Sequence, residues 1–354
     1  MFNIYKRRIT SILLIAFFLL TLTVFSGCEI LNSRVLQEGV FIEEEEEEPQ
    51  PAAVAPAEPE EEGPSPWELH FATWPITFGF ANDEGSKLIH VFYDYSDPDA
   101  VLPEPSTETG DEASAEANED YDEDYEPNNY FEETGFDPDM FSLAVGPYGE
   151  IWPISFAFWQ EERRANNGRE NAYNFENLPG FVYAQKDWKL TKNRTYLLTQ
   201  MGPILDSIIA IAPSGWSGNT PPMSEETTES IEKYKERKIE WTKTLAVTKV
   251  GEGQIGLVLY ERQGNDMLFS IVYTDETKTL FWDNPAVYDE TSTWRADAGD
   301  EPGSFSPLLL ASFDEGLMLV LLWSAPEGEI AVILYEEDGV FVHAEDLFFA
   351  RYTA

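Results

Sequence analysis

The chain has 354 residues, of which 66 are acidic and 22 basic, and its formal net charge is −44. A charge of this size and sign disfavours electrostatic binding to nucleic acid or to anionic lipid head groups. The chain has one cysteine, which excludes an intrachain disulfide and gives little support to a structural zinc site.

The first 27 residues have the pattern of a secretory signal peptide. Basic residues at 6–8 precede the apolar run Ile12–Leu20, and small residues follow it. A membrane-spanning helix needs about 20 mostly apolar residues. The stretch Ile9–Phe25 has 17 residues even when its serine and threonines are counted. The pattern therefore favours a cleaved signal over a retained anchor.

After the apolar run, the cysteine follows directly on two small residues, in Phe25-Ser26-Gly27-Cys28. This tetrad resembles the lipobox of bacterial lipoproteins. The resemblance implies that the thiol of Cys28 receives a diacylglycerol, that the signal is cleaved before it, and that the new amino terminus is acylated. Two or more acyl chains hold a protein stably on a membrane. Glu29 stands where Asp retains such proteins at the inner membrane, which implies the outer membrane or the cell surface.

The segment 28–66 is predicted to be a disordered acidic tether. It contains six consecutive glutamates followed by a mixture of Pro, Ala and Glu, which cannot bury enough apolar surface to offset chain entropy. Fully extended, it would reach at most about 130 Å. We expect it to hold the following domain away from the lipid.

A second acidic tract covers residues 97–139, contains 17 acidic residues and is predicted to be a disordered insertion. Its centre interleaves carboxylates with aromatic residues, which is also compatible with a short motif that docks on a partner. Positions 1, 3, 5 and 12 of an EF-hand-like spacing are occupied by Asp122, Asp124, Glu126 and Glu133, which makes a Ca²⁺ site one interpretation. Pro127 replaces the glycine of that loop.

The remainder, 67–354, is predicted to be one all-β domain, because apolar residues recur mostly with period two between turn residues. The segments 251–261 and 314–324 align at an offset of about 63 residues, and 83–96 aligns with 147–160. Repeated antiparallel sheets of this kind predict a degenerate β-propeller, with a two-sheet β-sandwich as the alternative. One surface helix is expected near 225–240, with Ser224 as its N-cap.

Three tryptophans lie in turn-like segments and are candidates for stacking on a ligand: Trp216, Trp282 and Trp294. His70, His90 and His343 lie in or beside predicted strands without a metal spacing. Acidic residues near apolar strands, such as Glu161 and Asp283, could serve glycoside hydrolysis, but composition does not select a pair.

These features predict a membrane-anchored bacterial lipoprotein whose all-β domain binds or scaffolds an envelope protein or a glycan. A propeller-fold carbohydrate hydrolase is the catalytic alternative, and it would need converging carboxylates with an arginine, Arg163 among the candidates. A calcium-dependent surface adhesin is the third, and it depends on the acidic insertion.

Overall fold

The computed structural model describes residues 65–92, 137–185, 189–215, 220–296, 298–345, 347 and 349–353. All of them belong to one compact unit, Glu62–Ala354. As expected, this part of the chain is all-β, and its sheets are antiparallel throughout. No helix among these residues has the length and apolar character needed to cross a membrane.

The described elements are as follows. The helices are α1 (Pro66–Thr73), α2 (Pro203–Ser207) and α3 (Glu225–Lys235), with 3₁₀ turns at Pro138–Met140, Pro147–Gly149 and Phe175–Asn177. The first eight strands are β1 (Ile76–Ala81), β2 (Lys87–Val91), β3 (Leu143–Gly146), β4 (Glu150–Pro153), β5 (Ser155–Gln160), β6 (Gly180–Ala184), β7 (Thr195–Thr199) and β8 (Ile211–Pro213). The others are β9 (Ile239–Thr248), β10 (Gln254–Tyr260), β11 (Asp266–Thr274), β12 (Thr279–Val287), β13 (Ser304–Phe313), β14 (Gly316–Ala325), β15 (Gly328–Glu337), β16 (Val340–His343) and β17 (Phe349–Tyr352).

Within these residues the strands form three sheets. A seven-stranded sheet has the order β4-β3-β7-β1-β2-β6-β5, an outer sheet contains β8–β12, and a central sheet contains β13–β17. Strands β9–β12 and β13–β16 are each a four-stranded meander. The predicted repeat aligns β10 with β14, and each is the second strand of its meander. The fold is propeller-like in that successive antiparallel sheets pack face to face.

The central sheet is buried on both faces. On β14, Leu319 and Leu321 pack against the outer sheet, whereas Val320 and Leu322 pack against the seven-stranded sheet. This explains the uninterrupted apolar run from Leu317 to Leu322, because a strand covered on both faces needs no polar alternation.

The seven-stranded sheet curls, and its two edge strands are consecutive in the sequence. Only Ile154 separates β4 from β5, and its N–H donates to the carbonyl of Ser142. The expected second repeat, 83–96 with 147–160, therefore does not form two blades. Its strands join one sheet because β1, paired with β7 and β2, connects both halves.

The single long surface helix is present but shorter than expected. The side chain of Ser224 accepts a hydrogen bond from the N–H of Thr227 and caps α3. The helix ends at Lys235 because Glu236 adopts a left-handed conformation with φ of 52°. The residues from Ile239 onward belong to β9, and Ile231 is the residue of α3 buried against the outer sheet.

A buried ion pair within the central sheet is hydrogen-bonded to β7 of the seven-stranded sheet and to the residues before it. Arg351 is 2% exposed, and its Nη2 lies 2.7 Å from Oε2 of Glu329. The same guanidinium donates to the carbonyl and side-chain oxygens of Asn193, while Glu329 also accepts from Thr195 Oγ1. Burial raises the pKa of the nearby Glu170 to about 7, partly opposed by the charge of Arg351.

Candidate functional site

Several predicted site residues lie outside the described residues. They are the lipid-attachment residue Cys28, the calcium candidates Asp122, Asp124, Glu126 and Glu133, and the stacking candidate Trp216. Their roles stay predictions. Among the described residues, no group of three His, Cys, Asp or Glu side chains is placed to hold a metal ion.

The other two stacking candidates come together against the core that the outer and central sheets share. Trp282 and Trp294 both meet Phe269 edge to face, with ring centroids 6.1 and 5.2 Å away. Trp323 joins the same cluster at 5.6 Å. Trp294 Nε1 donates to the carbonyl of Asn284. These rings are partly buried against that core, and a stacking role for them stays a prediction.

Arg295 covers this aromatic cluster. Its guanidinium carbon lies 5.4 Å from the centre of the Trp323 ring, and its Nη2 donates to the carbonyl of Gly328. Burial lowers the pKa of Arg295 from its usual value, with the charge of Glu327 acting in the opposite direction. The cluster therefore combines packed rings with a partly desolvated cation.

A more open surface lies along the edge strands of the seven-stranded sheet. The segment from Ile151 to Trp159 is apolar except for Ser155, yet Ile154 is the only residue in it that is buried. Phe158 is 42% exposed and Ile151 37%. An exposed and mostly apolar segment on so acidic a chain is typical of a binding region.

A β-bulge turns Phe158 outward. Phe156 pairs with Tyr183, whereas Phe158 pairs with Val182, so Ala157 is the extra residue. Tyr183 and Val182 are neighbours on β6 and therefore face opposite sides of the sheet. Because each residue of β5 faces the same side as its partner, Phe158 lies on the other side from Phe156. Phe156 packs on Tyr183, with ring centroids 6.1 Å apart. Bulges often redirect side chains at binding sites.

A groove of about 440 Å³ runs along the end of β5, and we call it the β5 groove. It is lined by Phe158, Trp159, Gln160, Glu161, Glu162, Arg163 and Glu176. Lys87 lies beside it, with Nζ 5.5 Å from the centre of the Phe158 ring and 3.7 Å from Glu176 Oε1. The groove thus combines an aromatic wall with a charged rim.

Hydrogen bonds fix the floor and rim of the β5 groove. Gln160 is buried, and its Nε2 donates to the carbonyls of Phe175 and Leu178 at 2.6 and 2.8 Å. Arg163 N–H donates to the carbonyl of Asn177. The groove is therefore formed by the end of β5 and a loop that is hydrogen-bonded to it.

A second cavity, of about 400 Å³, lies between the start of α3 and the turns of the outer sheet. Its charged lining residues are Glu226, Glu252, Asp275 and Glu276, with Ser and Thr hydroxyls between them. It contains no exposed aromatic side chain, so we regard the β5 groove as the candidate site.

The structure separates the other candidate groups. Glu161 and Arg163 line the β5 groove, whereas Asp283 is bound by Lys235 at 2.6 Å and accepts from Ser270 Oγ. His90 contacts the carbonyl of Phe78 through Nδ1, and burial lowers its pKa.

Sequence reasoning missed Phe158 as a candidate site residue. The available signal was the absence of polar alternation between Ile151 and Trp159, which predicts a strand buried on both faces or an apolar surface. No family model, curated protein or solved structure matches this chain.

Proposed function

We propose that the protein is a membrane-anchored lipoprotein of the bacterial envelope whose all-β domain binds a protein or glycan partner. The observation that supports binding most strongly is the exposed apolar segment Ile151–Trp159 beside the β5 groove. Exposed apolar surface costs solvation free energy, and a partner that covers Phe158 would recover it.

The anchor in this proposal is Cys28, which carries a diacylglycerol and begins the mature chain. The tetrad Phe25-Ser26-Gly27-Cys28 after an apolar run supports it. Residues 28–66 then act as a spacer, and Glu29 directs the protein to the outer membrane or cell surface. The β5 groove would meet partners at a distance of up to about 130 Å from the lipid.

A binding role is favoured over catalysis because two ion pairs with largely shielded side chains serve the fold. Arg351 is paired with Glu329, and Lys278 with Glu336, whose side chain also accepts the N–H of Leu317. Both pairs connect neighbouring strands or sheets, and neither lines the groove.

A carbohydrate hydrolase is the second candidate, and one observation favours it. Glu161, Glu162 and Glu176 line the β5 groove together with Arg163 and an aromatic wall. Glycoside hydrolysis uses two carboxylates on opposite sides of the scissile bond. Release of reducing sugar from envelope glycans, abolished in Glu161→Gln, Glu162→Gln or Glu176→Gln, would replace the binding proposal with this one.

Site-specific photo-cross-linking in intact cells tests the binding proposal. A benzoylphenylalanine is placed at Phe158 or, as control, at Val340, which lies in β16 and is equally exposed at 42%. We expect a discrete light-dependent adduct at position 158 and none at 340. Equal labelling at both positions, or none at 158, would contradict the proposal.

A further inference from the structure

The ring of Phe158 lies on a defined side of the seven-stranded sheet. Val182 of β6 pairs with Phe158 on one flank and with Ile89 on the other, so these three side chains share that side. Trp159 follows Phe158 in β5 and faces the opposite side, where its ring packs on Phe181 at 4.8 Å. Phe158 is therefore the ring that faces an occupant on this side of the sheet.

The loop after β5 holds a carboxylate on the same side. Phe175 and Leu178 are buried with Ile89 and Val182 in a small core. Glu176 lies between these two loop residues in the sequence, and its side chain is 54% exposed. Because the residues around it are packed into the core, the backbone of Glu176 is fixed and its carboxylate stays at the β5 groove.

A cation already lies between this ring and this carboxylate. The Nζ atom of Lys87 is 5.5 Å from the centre of the Phe158 ring and 3.7 Å from Oε1 of Glu176. An ammonium is attracted both by the face of an aromatic ring and by a carboxylate. The ion pair is long, however, since Lys235 lies 2.6 Å from Asp283. The groove thus has the geometry of a cation site, and Lys87 fills it loosely.

Two further carboxylates line the β5 groove, those of Glu161 and Glu162. Within the described ranges neither is ion-paired, and Glu162 accepts a hydrogen bond from Asn166 Nδ2 at 2.8 Å. With Glu176 they outnumber Arg163, the cation on the lining. This balance attracts a positive occupant. A second copy of the chain is a poor occupant, because it carries the same net charge of −44.

We propose, on the basis of the binding function above, that the β5 groove binds a segment of a partner protein through a lysine or arginine side chain. The incoming cation displaces the ammonium of Lys87 and lies between the Phe158 ring and the Glu176 carboxylate. The aliphatic part of the incoming side chain packs on Phe158, as long cationic side chains do on apolar surface. Glu161 and Glu162 attract basic residues that flank it.

Parallel selections from a phage-displayed library of random peptides test the inference. The baits are the full-length chain in detergent, Phe158→Ser, Lys87→Met and the control Val340→Ser, which removes an apolar side chain of equal exposure in β16. We expect wild type to enrich peptides that contain Lys or Arg beside apolar residues. Replacement of that Lys or Arg by methionine should weaken binding of the enriched peptide about tenfold.

The substitution Lys87→Met gives the sharpest arm of this test. It removes the internal cation, so the enriched peptide should bind about threefold more tightly than to wild type. A gain in affinity cannot come from misfolding. The same peptide should bind Phe158→Ser about tenfold more weakly and Val340→Ser as it binds wild type, with all four proteins equally resistant to urea.

Three results would overturn the inference. One is peptide binding that is unchanged or weaker in Lys87→Met. Another is enrichment of uncharged peptides as strong as that of basic ones. The third is a dimer in sedimentation that is lost in Phe158→Ser, which would identify a second copy of the chain as the occupant.

Photo-cross-linking at position 158 and a glycan array separate this inference from the function on which it rests. A cellular adduct at position 158, or Phe158-dependent glycan binding, without enrichment of basic peptides would overturn the cation site and leave the binding function intact. Absence of adduct, peptide binding and glycan binding would overturn the two together.

Discussion

Replacement of Arg351 by methionine should destabilise the fold by about 3–5 kcal/mol, the usual cost of removing one partner of a buried ion pair. Methionine keeps much of the aliphatic volume over Phe80, which lies 4.8 Å from the guanidinium carbon. What it removes is the charge that pairs with Glu329 and the donors to Asn193.

The size of this loss follows from the unpaired carboxylate of Glu329 that remains after the substitution. The side chain of Glu329 is 15% exposed, so without Arg351 it keeps Thr195 and Ser324 as donors but no compensating cation. Each hydrogen bond to a charged group contributes about 1.5–3 kcal/mol. In Arg351→Met/Glu329→Met neither charge of the pair remains, and the loss should shrink to about 1–2 kcal/mol.

Urea unfolding of the chain from residue 28 with Cys28→Ser, followed by tryptophan fluorescence, measures these values. Glu329→Met alone completes the double-mutant cycle, and we expect a coupling free energy of at least about 1.5 kcal/mol. A loss below about 1 kcal/mol for Arg351→Met, or additive single effects, would refute the reasoning that this buried pair stabilises the fold.

Two further predictions concern the central sheet and the pH dependence of the unfolding free energy. Leu321→Ala and Leu322→Ala should each cost about 2–5 kcal/mol in urea unfolding, because these adjacent β14 residues are buried on opposite faces; a loss for only one of them would contradict a central sheet covered on both sides. Burial raises the pKa of Glu170 from its usual value of 4.5 to about 7, so the folded state holds its proton more tightly than the unfolded state does. The unfolding free energy of wild type relative to Glu170→Gln should therefore fall as pH rises from about 4.5 to 7 and then level off; parallel pH profiles of the two proteins would contradict this assignment.

Local patterns predicted the strands and the start of α3, because period-two alternation and an N-cap are properties of neighbouring residues. Ser224 caps α3 as expected. The end of α3 differed because Ile239 and Trp241 alternate with polar residues as a strand does, and that signal was assigned to the helix. The offset of about 63 residues correctly matched β10 with β14, which are the second strands of their respective meanders.

Contacts between residues that are distant in the sequence had no comparable signal in the local pattern. The curl of the seven-stranded sheet depends on β7 pairing with both β1 and β3, which no local pattern encodes. Arg351 and Glu329 are 22 positions apart and meet only because β17 pairs with β15. Phe158 was missed for a related reason, since a single bulge residue reverses the face on which it lies.

The central claim, a lipid-anchored envelope protein, is tested most directly by the intact mass of the protein extracted from its native membrane. The account predicts a chain that begins at Cys28, carries the added mass of diacylglycerol and an acyl chain, and enters the detergent phase. The Cys28→Ser form should carry no lipid mass and stay in the aqueous phase. A wild-type chain that begins elsewhere and carries no lipid would contradict the claim.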